Sequence, residues 1–116
     1  MQVSVVGIAW YEAEDYDRLK AMFTDGWKLP DTFADWQEMA HSVCETLTAE
    51  GHQVVKARID PETFPQWCRD RGMEMDAEAR TLYGTECARI SNRNQRANKI
   101  KVRRAKRRLQ LRGRPR

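Results

Sequence analysis

After Glu86 the sequence contains no acidic residue. It also lacks any run approaching 18 apolar residues, so no segment reads as a membrane span. The start, Met1-Gln2-Val3-Ser4-Val5-Val6-Gly7-Ile8-Ala9-Trp10, has no basic n-region and reads as a short buried strand, not a secretory signal. Cysteine is scarce. Cys44, Cys68 and Cys87 are odd in number and lack a framework or C-x-x-C spacing. They read as reduced thiols in a cytoplasmic compartment. No Gly-rich phosphate loop, nucleophile elbow or His-based triad signature occurs, so nothing argues for an enzyme. There is no internal repeat.

What is present is sharply divided. The 116 residues carry a net charge of +4. Residues 1–90 hold nine Lys or Arg against all 17 Asp and Glu, a net −8. Residues 91–116 hold 12 Lys or Arg and no acid, a net +12. All four Trp, three Phe and three Tyr lie in the first part, which can bury a core. The second part has only Ile100, Val102, Leu109 and Leu111 as large apolar residues and cannot build one. The sequence therefore predicts an acidic globular domain over 1–90 and a basic arm over 91–116, disordered or helical on binding.

The domain reads as α/β. Residues 3–11 are apolar on both faces, as in a strand covered on both sides. Asp15 is placed to cap a helix with Tyr16, Leu19 and Phe23 on one face, ended by Asp25-Gly26. Thr32 and Asp35 form a helix-start signal, and Phe33, Trp36, Ala40, Val43 and Leu47 follow at spacings of three and four. Gly51 closes that helix. His52 to Ile59 reads as a second strand. A short helix then carries Phe64, Trp67 and Cys68 and stops at Gly72. Asp76 caps a further helix with Ala79, Leu82, Tyr83 and Ile90 on its apolar face. The order β-α-α-β-α-α predicts a two-stranded parallel sheet, because a helical crossover joins the strands. Such a sheet needs good helical cover or a second copy at its edge.

Basic residues crowd the arm: Arg93, Arg96, Lys99, Lys101, Arg103, Arg104, Lys106, Arg107 and Arg108. Asn92, Asn94, Gln95 and Asn98 add amides for phosphates or base edges. Val102, Ala105 and Leu109 stand at helical spacing, so phosphate neutralisation favours a helix here. Binding of this kind releases counterions and depends on salt. Arg-rich helices also bind RNA stem-loops, which keeps RNA beside DNA as a partner. A fold-back onto the acidic domain and a localisation signal are the competing readings of the same charge.

Other constellations carry less. His41 and Cys44 are three apart on a helix, and a zinc site can be drawn with Cys68, Cys87 or His52. The paired spacing of structural zinc is missing, so no metal and no cofactor is expected. Glu12, Glu14, Asp15, Asp17, Asp60 and Glu62 read as caps and solubilising loops before catalytic carboxylates. Trp10-Tyr11 offers a base-stacking platform only against the repulsion of its acidic surroundings. Trp36 and Trp67 read as core.

The terminal Arg112-Gly113-Arg114-Pro115-Arg116 resembles the AT-hook family of DNA-binding segments, with Leu111 where that family usually has proline. The resemblance implies that Gly113 lets the backbone reach the floor of an A·T-rich minor groove. The two flanking arginines, Arg112 and Arg114, would then lie along it, with Arg116 among the basic residues that bind nucleic acid. As a whole the domain resembles small uncharacterised bacterial proteins, some on mobile elements. The residues that carry this are Leu29-Pro30-Asp31-Thr32-Phe33 with Trp36, Ile59-Asp60-Pro61 with Phe64, Trp67 and Cys68, and Asp76-Ala77-Glu78-Ala79-Arg80. That resemblance implies a setting and no activity; the thiols and the nucleic-acid-binding arm together lead to the expectation of a cytoplasmic protein, nucleoid-associated if bacterial.

The expected function is a nucleic-acid-binding accessory or regulatory protein. Its arm holds DNA, with RNA second, and its domain serves a protein partner or a homodimer. An adaptor or inhibitor acting through the acidic domain is the first alternative. A small enzyme using strand-end carboxylates is the second.

Overall fold

The computed structural model describes residues 4–112, with side chains described for residues 4–94. Two strands, β1 (Val5–Trp10) and β2 (Gln53–Arg58), pair in parallel from Val5↔Gln53 to Trp10↔Arg58. Between them run α1 (Tyr16–Met22) and α2 (Phe33–Ala49); after them come α3 (Phe64–Asp70) and α4 (Ala77–Arg112). Single 3-10 turns at Ala13–Asp15 and Gly26–Lys28 flank α1. The β-α-α-β-α-α order and the parallel sheet are those expected from the sequence.

Alternation along β1 sends Gly7 and Trp10 to opposite faces. Gly7 meets α4, where a Cβ built on it lies 1.7 Å from the Gly84 carbonyl oxygen. Trp10 meets α2, its ring centroid 5.1 Å from that of Trp36 and 5.6 Å from that of His41. The sheet is thus sandwiched between α2 and α4, and β1 remains half-buried along its length.

The core lies beside the sheet and is largely aromatic. The Tyr11 ring touches those of Tyr16, Phe23 and Trp36, with Leu19, Ile59, Phe64 and Cys68 completing the cluster. Such rings add about 0.5–1.5 kcal/mol per pair beyond the area they bury. The Tyr16 hydroxyl donates to the Pro30 carbonyl, which fastens the segment before α2. Thr32 Oγ1 accepts the Asp35 N–H at 3.2 Å, the cap the sequence signals. Gly51 follows α2 with φ 92, a conformation that glycine adopts without strain. Trp36→Ala should cost about 3–5 kcal/mol, because Trp36 is buried at the centre of this cluster. An unchanged urea midpoint would place Trp36 outside it.

Three expectations need correction. Val43 does not continue the core face of α2; it is 45% exposed and Met39 is 49% exposed. The sheet is only two strands wide, so the C-terminal half of α2 has little to lie on beyond Cys44 and Leu47. Ile90 is 56% exposed; α4 meets β1 through Gly84 and Ala88 instead, while Ala79 is buried in the core cluster. Asp15 stands at the start of α1 without a capping bond and pairs with Arg58 at 2.9 Å.

Candidate nucleic-acid interface

The candidate interface is the distal part of α4, and its base is firmly anchored. Asp76 Oδ1 accepts the Ala79 N–H at 3.0 Å. Asp25, arriving from the turn after α1, accepts the Ala77 N–H at 3.0 Å and both Arg80 guanidinium nitrogens at 2.7 and 3.2 Å. Asp25 and Arg80 are each only 8% exposed. The Arg80 bonds, foremost, hold the Asp25 carboxyl below its usual range despite the opposing effect of burial. The Arg80 guanidinium also lies 4.6 Å from the Phe23 ring centroid. A pair and two orphan helix N–H groups are thus satisfied at the point where α4 begins.

A depressed carboxyl stabilises the fold above its unfolded pKa of about 3.9 and loses that contribution as pH falls through the folded value. Asp25→Asn should therefore destabilise by about 1.5–3 kcal/mol at pH 7 and flatten the loss of stability below pH of about 4. Urea titrations at the two pH values read both effects. An Asn variant as acid-sensitive as the wild type would assign that sensitivity to other carboxylates.

From this anchor α4 runs 36 residues, about 54 Å at 1.5 Å per residue. Ala88 is buried, its Cβ near Gly7 of β1, and the 24 residues of α4 after it extend for about 36 Å. The longest dimension of the molecule is accordingly 70 Å against 33 and 27 Å for the others. The change of composition at residue 90 falls inside this helix, with no break in the backbone.

Arg93 is exposed on α4. Arg96, Lys99, Lys101, Arg103, Arg104, Lys106, Arg107, Arg108 and Arg112 lie on the same helix backbone, beyond the described side chains. Gly113, Arg114 and Arg116 lie outside the described residues, and with them the AT-hook-like core. One residue escaped the sequence reading. Arg89 is exposed one turn before Arg93, so the cationic row begins inside the acidic domain. The row Arg89, Arg93, Arg96, Ile100, Arg103 and Arg107 follows spacings of four and three. The row Gly84, Ala88, Ser91, Gln95, Asn98, Val102, Ala105 and Leu109 follows the same spacings and contains no charge. The uncharged row continues the face that α4 turns to the sheet; the cationic row runs along the other side.

Several of the other groups considered in the sequence are engaged elsewhere in the structure. Glu62 pairs with Arg18 at 2.5 Å, and Asp60 Oδ1 accepts the Glu62 N–H at 2.8 Å. Burial pushes the Cys68 and Cys87 thiols up, and all three cysteines are free. Among the described residues no three His, Cys, Asp or Glu side chains gather as metal ligands. The Trp10 face is taken by Lys56, whose Nζ is 4.4 Å from the ring centroid, and Tyr11 is buried. Trp27, 77% exposed beside Lys28, is the tryptophan that the core does not use. No described helix is long and apolar enough to cross a membrane. Comparison with protein families, with curated proteins and with solved structures finds no match to this chain.

Proposed function

We propose that this protein binds nucleic acid, DNA before RNA, through the distal part of α4, and acts as an accessory or regulatory factor. The observation that carries the proposal is the charge of one continuous helix. Residues 91–112 hold ten Lys or Arg and no acid, on a backbone that is helical throughout. A helix fits the major groove, which is about 12 Å wide. The stretch past Ala88 is about 36 Å long, close to one turn of B-DNA. Basic residues on several rows of such a helix reach phosphates on both walls of the groove. Asn94, Gln95 and Asn98 add amides to the same stretch of helix. A domain at −8 repels phosphates and directs them to the arm. In this reading the chain works in the cytoplasm, on a nucleoid if the host is bacterial, where free thiols stay reduced. Its acidic domain recruits a protein partner.

The terminal Arg112-Gly113-Arg114-Pro115-Arg116 is proposed to add a preference for A·T-rich minor groove. Gly113→Glu places bulk and negative charge at the groove floor, and Arg114→Lys removes the planar guanidinium. Both should reduce the ratio of A·T-rich to G·C-rich duplex affinity, and Arg114→Lys should leave non-specific binding nearly unchanged. Fluorescence anisotropy with matched duplexes and an RNA stem-loop tests the whole reading. Duplex binding stronger than stem-loop binding supports DNA. No A·T preference in the wild type reduces the terminus to a cationic end.

A further inference from the structure

The C-terminal half of α2 presents an apolar face that the described residues leave uncovered. Met39, Ser42, Val43, Thr46, Leu47 and Glu50 line an open groove there. The surrounding charge has one sign. From Leu29 to Val55 there is no Lys or Arg, while Asp31, Asp35, Glu38, Glu45 and Glu50 are all exposed. Among the described residues Asp35, Glu38 and Glu45 have no ion-pair partner.

We propose that this groove receives the basic arm of a second copy of the chain. The arm offers the complement: Val102, Ala105 and Leu109 on one row, with Lys101, Arg104, Lys106 and Arg108 on neighbouring rows and no acid. The apolar lengths agree. Met39 to Leu47 and Val102 to Leu109 are eight and seven residues apart, about 12 and 11 Å along a helix. Charge complementarity of this extent fixes which partner docks and speeds its encounter. The arm of the same chain is excluded, because α4 is one continuous helix packed on the sheet face opposite α2. Two copies exchanging arms close a symmetric dimer in which each arm lies on the other's α2.

An arm seated on α2 is not available to phosphates. Self-association and nucleic-acid binding therefore exclude each other, and nucleic acid releases the arm; this half of the inference rests on the function proposed above.

Sedimentation equilibrium of the full chain, free of nucleic acid, tests the docking. At low salt the mass should approach twice the 13.6 kDa of the chain. At about 1 M salt, where the screening length is about 3 Å, it should fall to that of one chain. The double variant Met39→Ser, Val43→Ser should weaken dimerisation about tenfold or more. Its melting midpoint should hold, since both side chains are about half exposed. Glu38→Gln with Glu45→Gln, which removes charge alone, should weaken it as well. The serine variant should also bind duplex more tightly than the wild type at low salt. A monomeric wild type at low salt overturns the proposal, as does a dimer equally strong in both variants. A salt-sensitive dimer that binds no duplex or RNA would retain the docking and reject the nucleic-acid function. Duplex binding by a strict monomer would do the reverse.

Discussion

Gly7→Val should leave the chain without its native fold at room temperature. The Cβ of any residue at position 7 falls 1.7 Å from the Gly84 carbonyl oxygen, 2.4 Å from its carbon and 3.2 Å from the Ala88 Cβ. The first two are helix backbone, so no side-chain rotation relieves the overlap. α4 would have to withdraw from β1, opening the layer that joins the helix to the sheet. Overpacking in a core costs about 1–3 kcal/mol when side chains can give way. Here the backbone must give, against a total stability of about 5–14 kcal/mol for a domain of this size. Gly84 faces the same contact from the other side, its built Cβ 2.8 Å from the Gly7 oxygen. Gly51→Ala is the control. Its Cβ meets nothing within 4 Å, so only the positive φ is strained, costing about 1–2 kcal/mol. Circular dichroism and urea titration separate the two. A Gly7→Val protein melting within a few degrees of the wild type would contradict the close approach of α4 to β1.

That contact also shows what the sequence concealed. Element order, the Thr32 cap and the stop at Gly51 follow from local chemistry, and local chemistry is what spacing records. The face of α4 against β1 is made of Gly84 and Ala88, and large apolar residues at helical spacing do not point to them. That spacing points to Ile90, which is exposed. The exposed end of α2 misled for the opposite reason: Val43 keeps the apolar period, but a two-stranded sheet is too narrow to use it. The Asp25–Arg80 pair joins residues 55 positions apart, and no local pattern announces it. The cationic arm was legible because charge needs no fold to be counted. Its helical continuity with the domain was not, since neighbouring like charges disfavour an isolated helix and the anchor that supports it begins at Asp25 and Asp76.

Deletion of residues 91–116 should lower duplex affinity at least about 1,000-fold at moderate salt, since an arm neutralising 6–10 phosphates supplies nearly all non-specific binding. The deletion takes the net charge from +4 to −8, so what remains repels phosphate. The fold should survive, because Ala79 in the core cluster and Gly84 and Ala88 against β1 all precede the cut. A melting midpoint within a few degrees of the full chain, together with lost binding, would place the function in the arm and the stability in the domain. A truncated domain that retains duplex affinity would move the interface to the body and reject the arm.

The most direct measure of the central claim is the affinity of the full chain for a short duplex across a series of salt concentrations. If the arm neutralises about six phosphates, log K should fall against log salt with a slope of about −5, and more steeply if further basic residues engage. A slope near zero, or no measurable binding at low salt, would contradict the account.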